Sequence, residues 1–210
     1  MQKIAISLGW NCNSAIYGVQ NNIRKTKKEG YLTCPFDEMV TNLSGIIKCI
    51  NDDFKYFCDE KHLTIINSTS DSIHLSHIKN DNLIRNTYYN FIFNHESPGH
   101  GNLYVTQKWN GGINHYIDNN YKEFKNRYIK RINNFLSYIK DPNNYIIFIL
   151  HGYNETNKNI VRLKEVLNKK YPNLQYDFLF VPVTYDKNII IEHYKLMGYS
   201  DNDVEMHDLD

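Results

Sequence analysis

The chain reads as an α/β protein: a layered, mostly parallel sheet flanked by helices, with an inserted β-hairpin. Three observations predict this. Residues 3 to 8 are apolar enough for a buried strand and break at Gly9 into a helical pattern. Residues 145 to 150 form a continuous apolar strand that leads, through the helical Ile160, Leu163 and Leu167, to a second strand at 178 to 181. Between these regions, Tyr121, Phe124, Tyr128, Ile132, Phe135 and Ile139 recur at spacings of 3, 4, 4, 3 and 4, the stripe of a long amphipathic helix. Strands buried on both faces and alternating with helices belong to parallel sheets held between helical layers.

Each element has a local reason. Gly9 supplies the freedom to turn out of the first strand, and Asn11 or Asn13 can cap the helix that carries Ala15, Ile16, Val19 and Ile23. Residues 31 to 37 read as extended, because Pro35 pushes the residue before it out of the helical region. A helical pattern follows over residues 43 to 50, and short strands are expected at 63 to 66, 72 to 78 and 88 to 93. The hairpin is placed at residues 103 to 117, where Asn110, Gly111 and Gly112 suit a tight turn. The long helix ends near Asp141 and Pro142.

Length and charge bound the possible functions. The 210 residues carry 24 Lys and Arg against 23 Asp and Glu, and 41% are hydrophobic, which suits one soluble domain able to build a core without disulfide or metal staples. That domain is expected over residues 1 to 200, followed by an acidic tail at 201 to 210. A net charge of +1 leaves no nucleic-acid footprint, and the basic run from Arg24 to Lys28 reads as a solvated helix end. The N-terminal strand is too short and too soon interrupted for a signal peptide, and no apolar run approaches membrane-spanning length. The expectation is an intracellular, cytoplasmic protein with reduced thiols, no nucleic-acid or membrane partner and no cofactor. Asn, Lys, Ile and Tyr contribute 29, 19, 25 and 17 residues, whereas Ala occurs only at Ala5 and Ala15. These abundant residues share A- and T-rich codons, so the skew is read as the mark of an AT-rich coding genome such as a virus's.

Among the four cysteines, Cys12 is singled out, because the strand, turn and helix order puts it in the first turn of a helix. Free amides and the positive end of the helix dipole favour a thiolate there and lower its pKa. The competing reading is a small buried packing residue. A nucleophile needs a base, and two histidines follow predicted strands where α/β sites gather: His95, with Glu96 beside it, and His151. Arg127 and Arg131, four apart on the long helix, are either a surface pair with Glu123 or a clamp for an anionic substrate. Asp37 is either a turn cap or a site carboxylate. Neither metal-like pattern stands. His95 and His100 are five apart across Pro98 and Gly99, which would break a zincin helix, and Cys58, His62, His74 and His77 match structural zinc spacing poorly. No glycine-rich phosphate loop is present, so no metal or dinucleotide is expected.

Three segments together resemble a known family: Ser7-Leu8-Gly9-Trp10-Asn11-Cys12 before a helix, then Pro35-Phe36-Asp37, then His95-Glu96. They resemble the bacterial and viral family labelled putative papain-like cysteine peptidase, a domain of unknown function, over most of residues 1 to 185. Three positions depart from its usual pattern: Glu38 stands where the family commonly has Trp, Glu96 where it has Asp, and His151 where it often has Arg. The resemblance implies a thiol hydrolase or acyltransferase acting on a small-molecule, peptide or glycan substrate. Cys12 would be nucleophile, His95 general base, and Glu96 or Asp37 the group orienting the base. Amides of Cys12 and Asn13 would steady an oxyanion. Ser7, Gly9, Asn11, Arg127, Arg131 and His151 are expected to bind substrate. Two alternatives stay open: a carbohydrate- or nucleotide-sugar-handling α/β protein, such as a glycan-assembly transferase, with a structural Cys12 and with Asp37, His95 and the arginines holding the ligand, and a non-catalytic binding domain.

Overall fold

The computed structural model describes residues 1–67, 82–96, 117, 119–182 and 187–200. A three-stranded parallel sheet contains β1 (Gln2–Ser7), β5 (Asn144–His151) and β6 (Gln175–Val181), with β5 in the middle. Its register pairs Ile4 with Ile146 and Ile147 with Asp177. Alternate side chains serve opposite faces, as a strand requires. Ile4, Ile6, Ile146, Phe148 and Leu150 join the large core, whereas Ala5, Ile149 and Val181 join a smaller one.

Those faces are covered by different helices. Helix α1 (Asn13–Gln20) brings Tyr17 to the smaller core, and its Gly18 lies close against the Ile149 side chain. Into the large core go α2 (Leu43–Asn51), α3 (Lys122–Lys140) and α4 (Lys158–Lys170), through Ile46, Phe135 and Leu163 among others. Phe36, on the short 3₁₀ turn Pro35–Glu38, meets Phe54, Phe57, Phe91 and Phe135 at ring-centroid distances of 5.9 to 6.3 Å. The helices following the adjacent parallel strands β1 and β5 therefore lie on opposite faces of the sheet. α/β proteins commonly hold ligands in a crevice beyond the carboxyl ends of their strands, the region to which the turn after β1 and the end of β5 belong.

A second sheet is antiparallel: β2 (Leu63–Asn67), β3 (Asn82–Asn86) and β4 (Phe91–Phe93). Val40 and Ile92 exchange both backbone hydrogen bonds at 2.9 Å, extending this sheet by one bridge. Helix α5 (Lys187–Met197) covers one face of it, packing Tyr194 and Met197 with Val40, Leu83 and Ile92. The expected strand over residues 88 to 93 starts later, at Phe91. Asn86 Oδ1 accepts from the amides of Tyr88 and Tyr89, and Asn90 takes φ 56°, so the apolar tyrosines ahead of Phe91 belong to a turn. The expected strand at 72 to 78, the hairpin at 103 to 117 and the acidic tail lie outside the described residues. No helix among the described residues is long and apolar enough to cross a membrane.

Candidate active site

The chain leaves β1 through a turn that its own polar residues hold. Leu8 still donates to Ile149 O at 3.1 Å, Ser7 Oγ accepts from the Gly9 amide at 3.1 Å, and Ser14 Oγ donates to Gly9 O. Gly9 has φ 87°, and a Cβ there would run into Thr41 Oγ1. Thr41 closes the turn from outside, its amide donating to Trp10 O at 2.9 Å. Asn11 Oδ1 accepts from the Asn13 amide at 2.9 Å, satisfying one of the donors a helix start leaves open. Ser7, Gly9 and Asn11, expected to bind substrate, are thus the residues that shape this turn. The Asn13 amide, expected to face an oxyanion, is occupied by Asn11.

Cys12 sits at the N-cap of α1 and is partly exposed. Its thiol is pushed up from the ordinary value of 9.0, first by burial and then by the Glu38 carboxylate, while its own backbone amide pulls the other way. The lowered thiol pKa expected from a helix start is therefore corrected. Desolvation of the charged form outweighs the helix-start amide, and Cys12 is a neutral thiol at neutral pH.

Glu38 is a site residue that the sequence reading noted only as a departure from the family. Besides facing Cys12 electrostatically, it accepts from Arg131 Nη2 at 2.6 Å and lies 3.4 Å from Lys27 Nζ. One turn earlier on α3, Arg127 grips Glu96 as a fork: Nε and Nη2 each donate at 2.7 Å, to separate oxygens of a carboxylate that is 1% exposed. Both arginines are committed to buried or part-buried protein carboxylates, the groups that an anionic substrate would have to displace.

The antiparallel bridge between Val40 and Ile92 brings these groups together. Glu38 precedes Val40 and His95 follows Ile92, so both leave the bridge at the same end, and α3 ties Glu38 and Glu96 there. His95 is buried at 9% exposure in the turn after β4, where the Glu96 amide donates to Phe93 O at 2.9 Å. Asp37 is fully buried behind them. It accepts from Arg24 Nη1 at 2.6 Å, the Cys34 amide at 2.7 Å and the Tyr31 hydroxyl at 3.1 Å, so the turn-cap reading describes its contacts. Burial pushes the Asp37 carboxyl up from the usual range against the pull of Arg24, and the Arg24 guanidinium is raised in turn by the carboxylate.

Two further histidines stand around the crevice. His151 ends β5 with its ring 6.2 Å from that of Tyr17 on α1; burial lowers its pKa, and its Nδ1 has no hydrogen-bond partner among the described residues. His193 on α5 stacks on Trp10 with ring centroids 4.7 Å apart. Its Nδ1 lies 2.8 Å from Ile189 O, a carbonyl to which it donates. The sequence reading did not single out His193, since nothing along the chain links it to Trp10.

A family model described as "Putative papain-like cysteine peptidase (DUF1796)" matches residues 3–188. The chain belongs to this family. No curated protein and no solved structure matches it significantly. The family match takes in every residue of the cluster from Cys12 to His151 and ends within α5, before His193. In this family member Arg127 holds Glu96, next to His95, and Arg131 holds Glu38, whose carboxylate acts electrostatically on Cys12. Asp37 and Arg24 form the buried pair that anchors Glu38's own turn.

Proposed function

We propose that this protein is a thiol hydrolase or acyltransferase, with Cys12 as nucleophile and His95 as general base. The observation that supports the reading is the position of Cys12 at the N-cap of the helix after β1, beyond the carboxyl end of that strand, with the Glu38 carboxylate acting on its thiol. Because the thiol is neutral, the base must take its proton as Sγ attacks the acyl carbon. A bond forms between Sγ and carbon, His95 passes the proton to the leaving group, and a Cys12 thioester remains. Water or an acceptor hydroxyl or amine then attacks this ester, losing its proton to His95; the carbon–sulfur bond breaks, and the departing Cys12 sulfur takes that proton back as the acyl product leaves. The Cys12 amide favours negative charge at the sulfur and the adjoining oxyanion. Glu96, locked by Arg127, is a positioning residue that fixes the turn carrying His95.

The test is acylation by p-nitrophenyl acetate, followed by intact mass and peptide mapping. One acetyl group on Cys12, absent in Cys12→Ala and slowed at least about a hundredfold in His95→Gln, is the expected result. Acetylation that maps to another residue, or a rate unchanged in a folded His95→Gln variant, would remove the respective role. Turnover of a peptide or ester library by Cys12→Ala at the wild-type rate would overturn the reading as a whole.

A further inference from the structure

Among the described residues, the parallel sheet has an open side. In the order β1, β5, β6, strand β1 is paired on one edge alone among the described residues. Gln2 donates to Asn143 O at 2.8 Å and Leu8 to Ile149 O at 3.1 Å, so the even-numbered residues of β1 turn their backbone groups towards β5. By alternation, Lys3 and Ala5 turn theirs the other way. An edge of this kind is a template for another strand unless something blocks it.

Nothing polar from the described chain fills that edge; a cavity of about 740 Å³ lies along it, floored by residues Gln2, Lys3, Ile4 and Ala5. Val19 and Ile23 from α1 and its following turn form one wall. Tyr31 and Tyr138, stacked with centroids 5.7 Å apart, form the other. The cavity therefore occupies the place of a fourth strand between the two helical layers. Four residues of strand span roughly 13 Å, enough for two pairs of backbone hydrogen bonds to Lys3 and Ala5.

The rim decides the chemistry of the occupant. Lys3, Lys25 and Lys28 are exposed on it and make no ion pair among the described residues. The one acidic side chain of the lining, Glu29, is turned back on its own loop, accepting from the Thr26 amide and hydroxyl at 2.7 Å each. Arg24 at the back is paired with Asp37.

We propose that this slot binds an extended acidic peptide segment of a partner protein, which adds as a further strand beside β1 with its carboxylates against Lys3, Lys25 and Lys28. The slot lies along the amino-terminal half of β1, whereas Cys12 lies beyond the carboxyl end, so the inference does not depend on the thiol chemistry. Loss of Cys12 leaves binding intact.

The probe is a dye-labelled, end-blocked Glu-Val-Glu-Val-Glu-Val peptide, followed by fluorescence anisotropy with full-length Cys12→Ala protein. Binding is expected, with none for the Lys-Val counterpart. The double variant Lys25→Glu/Lys28→Glu, both surface changes, weakens it by about tenfold or more. N-methylation of alternate amides separates strand pairing from charge attraction: one alternation abolishes binding and the other keeps it, and exchange of the Lys3 and Ala5 amides slows in the complex. Equal binding of both N-methylated forms, indifference to the charge reversal, or no binding at all overturns the proposal. So does an oligothymidylate that binds as tightly as the acidic peptide, or a concentration-dependent dimer that the peptide fails to dissociate.

Discussion

Replacing Gly9 by Ala tests why a glycine stands at the mouth of the crevice. The substitution meets two separate costs. At φ 87° a residue with a Cβ sits in the left-handed half of conformational space, which costs about 1–2 kcal/mol. The new methyl also enters the space of Thr41, whose Cβ is 3.0 Å from it and whose Oγ1 is nearer still. Thr41 cannot swing away cheaply: it is fully buried, its amide is bound to Trp10 O, and its neighbour Val40 is paired with Ile92. Overpacking of this kind adds about 1–3 kcal/mol, so Gly9→Ala is expected to destabilise by about 2–5 kcal/mol in all. Urea unfolding followed by far-UV circular dichroism reads this directly. In the double variant Gly9→Ala/Thr41→Ala the steric part is relieved and the backbone part is not, giving a favourable coupling of about 1–3 kcal/mol in the mutant cycle. A Gly9→Ala variant within about 0.5 kcal/mol of wild type, or an additive cycle, would refute the account and return Gly9 to a role in substrate contact.

Four further outcomes follow from the charged and titratable groups around the site. Asp37→Ala, which strands Arg24 and the Cys34 amide, should cost about 3–5 kcal/mol by chemical unfolding; a loss under 1 kcal/mol, roughly that of a surface pair, would contradict the burial argument. Because burial raises the Asp37 pKa, its contribution to stability is fully present below the ordinary value of 3.8 and is lost as pH rises through the raised folded value. Melting temperatures of wild type and Asp37→Asn should therefore diverge in that window, with the wild type alone losing stability. Iodoacetamide should label Cys12 slowly at neutral pH and faster above its raised pKa, and Glu38→Gln should move that profile to lower pH; an unmoved profile would show that Glu38 does not act on the thiol. Glu96→Gln should cost about 1.5–3 kcal/mol through the weakened fork to Arg127 and slow Cys12 acylation, whereas unchanged acylation in the folded variant would deny it a positioning role.

The elements most legible in the sequence are those whose burial repeats along the chain. The six-residue stripe from Tyr121 to Ile139 became α3, and the apolar run at 145 to 150 became the central strand β5. The Pro35-Phe36-Asp37 segment was visible too, although it is a 3₁₀ turn capped by Asp37 where an extended run was expected. Less legible were β3, α5 and the late start of β4. The reason is the same for each: their burial comes from one another, through Leu83, Ile92, Tyr194 and Met197, which no local period connects.

Of the candidate site, Cys12, Asp37, His95, Glu96 and both arginines could be picked out as residue types in suggestive places, but not what each one touches. Arg24 and Asp37, or Glu96 and Arg127, have no spacing rule that pairs them, because an ion pair between elements is decided by how those elements pack. Glu38 shows this most clearly. As a residue it was a departure from a pattern; in the fold it is the carboxylate that acts on the Cys12 thiol and the partner of Arg131.

By itself, then, the sequence determined the layered α/β class, the family, and the turn that puts Cys12 at a helix start. All three rest on interactions between near neighbours or on periodic burial. Tertiary structure decided that burial raises the Cys12 thiol pKa, that the arginines hold protein carboxylates, and that β1 keeps one edge unpaired among the described residues. Those properties depend on desolvation and on charges brought in from distant elements, which a one-dimensional pattern does not carry.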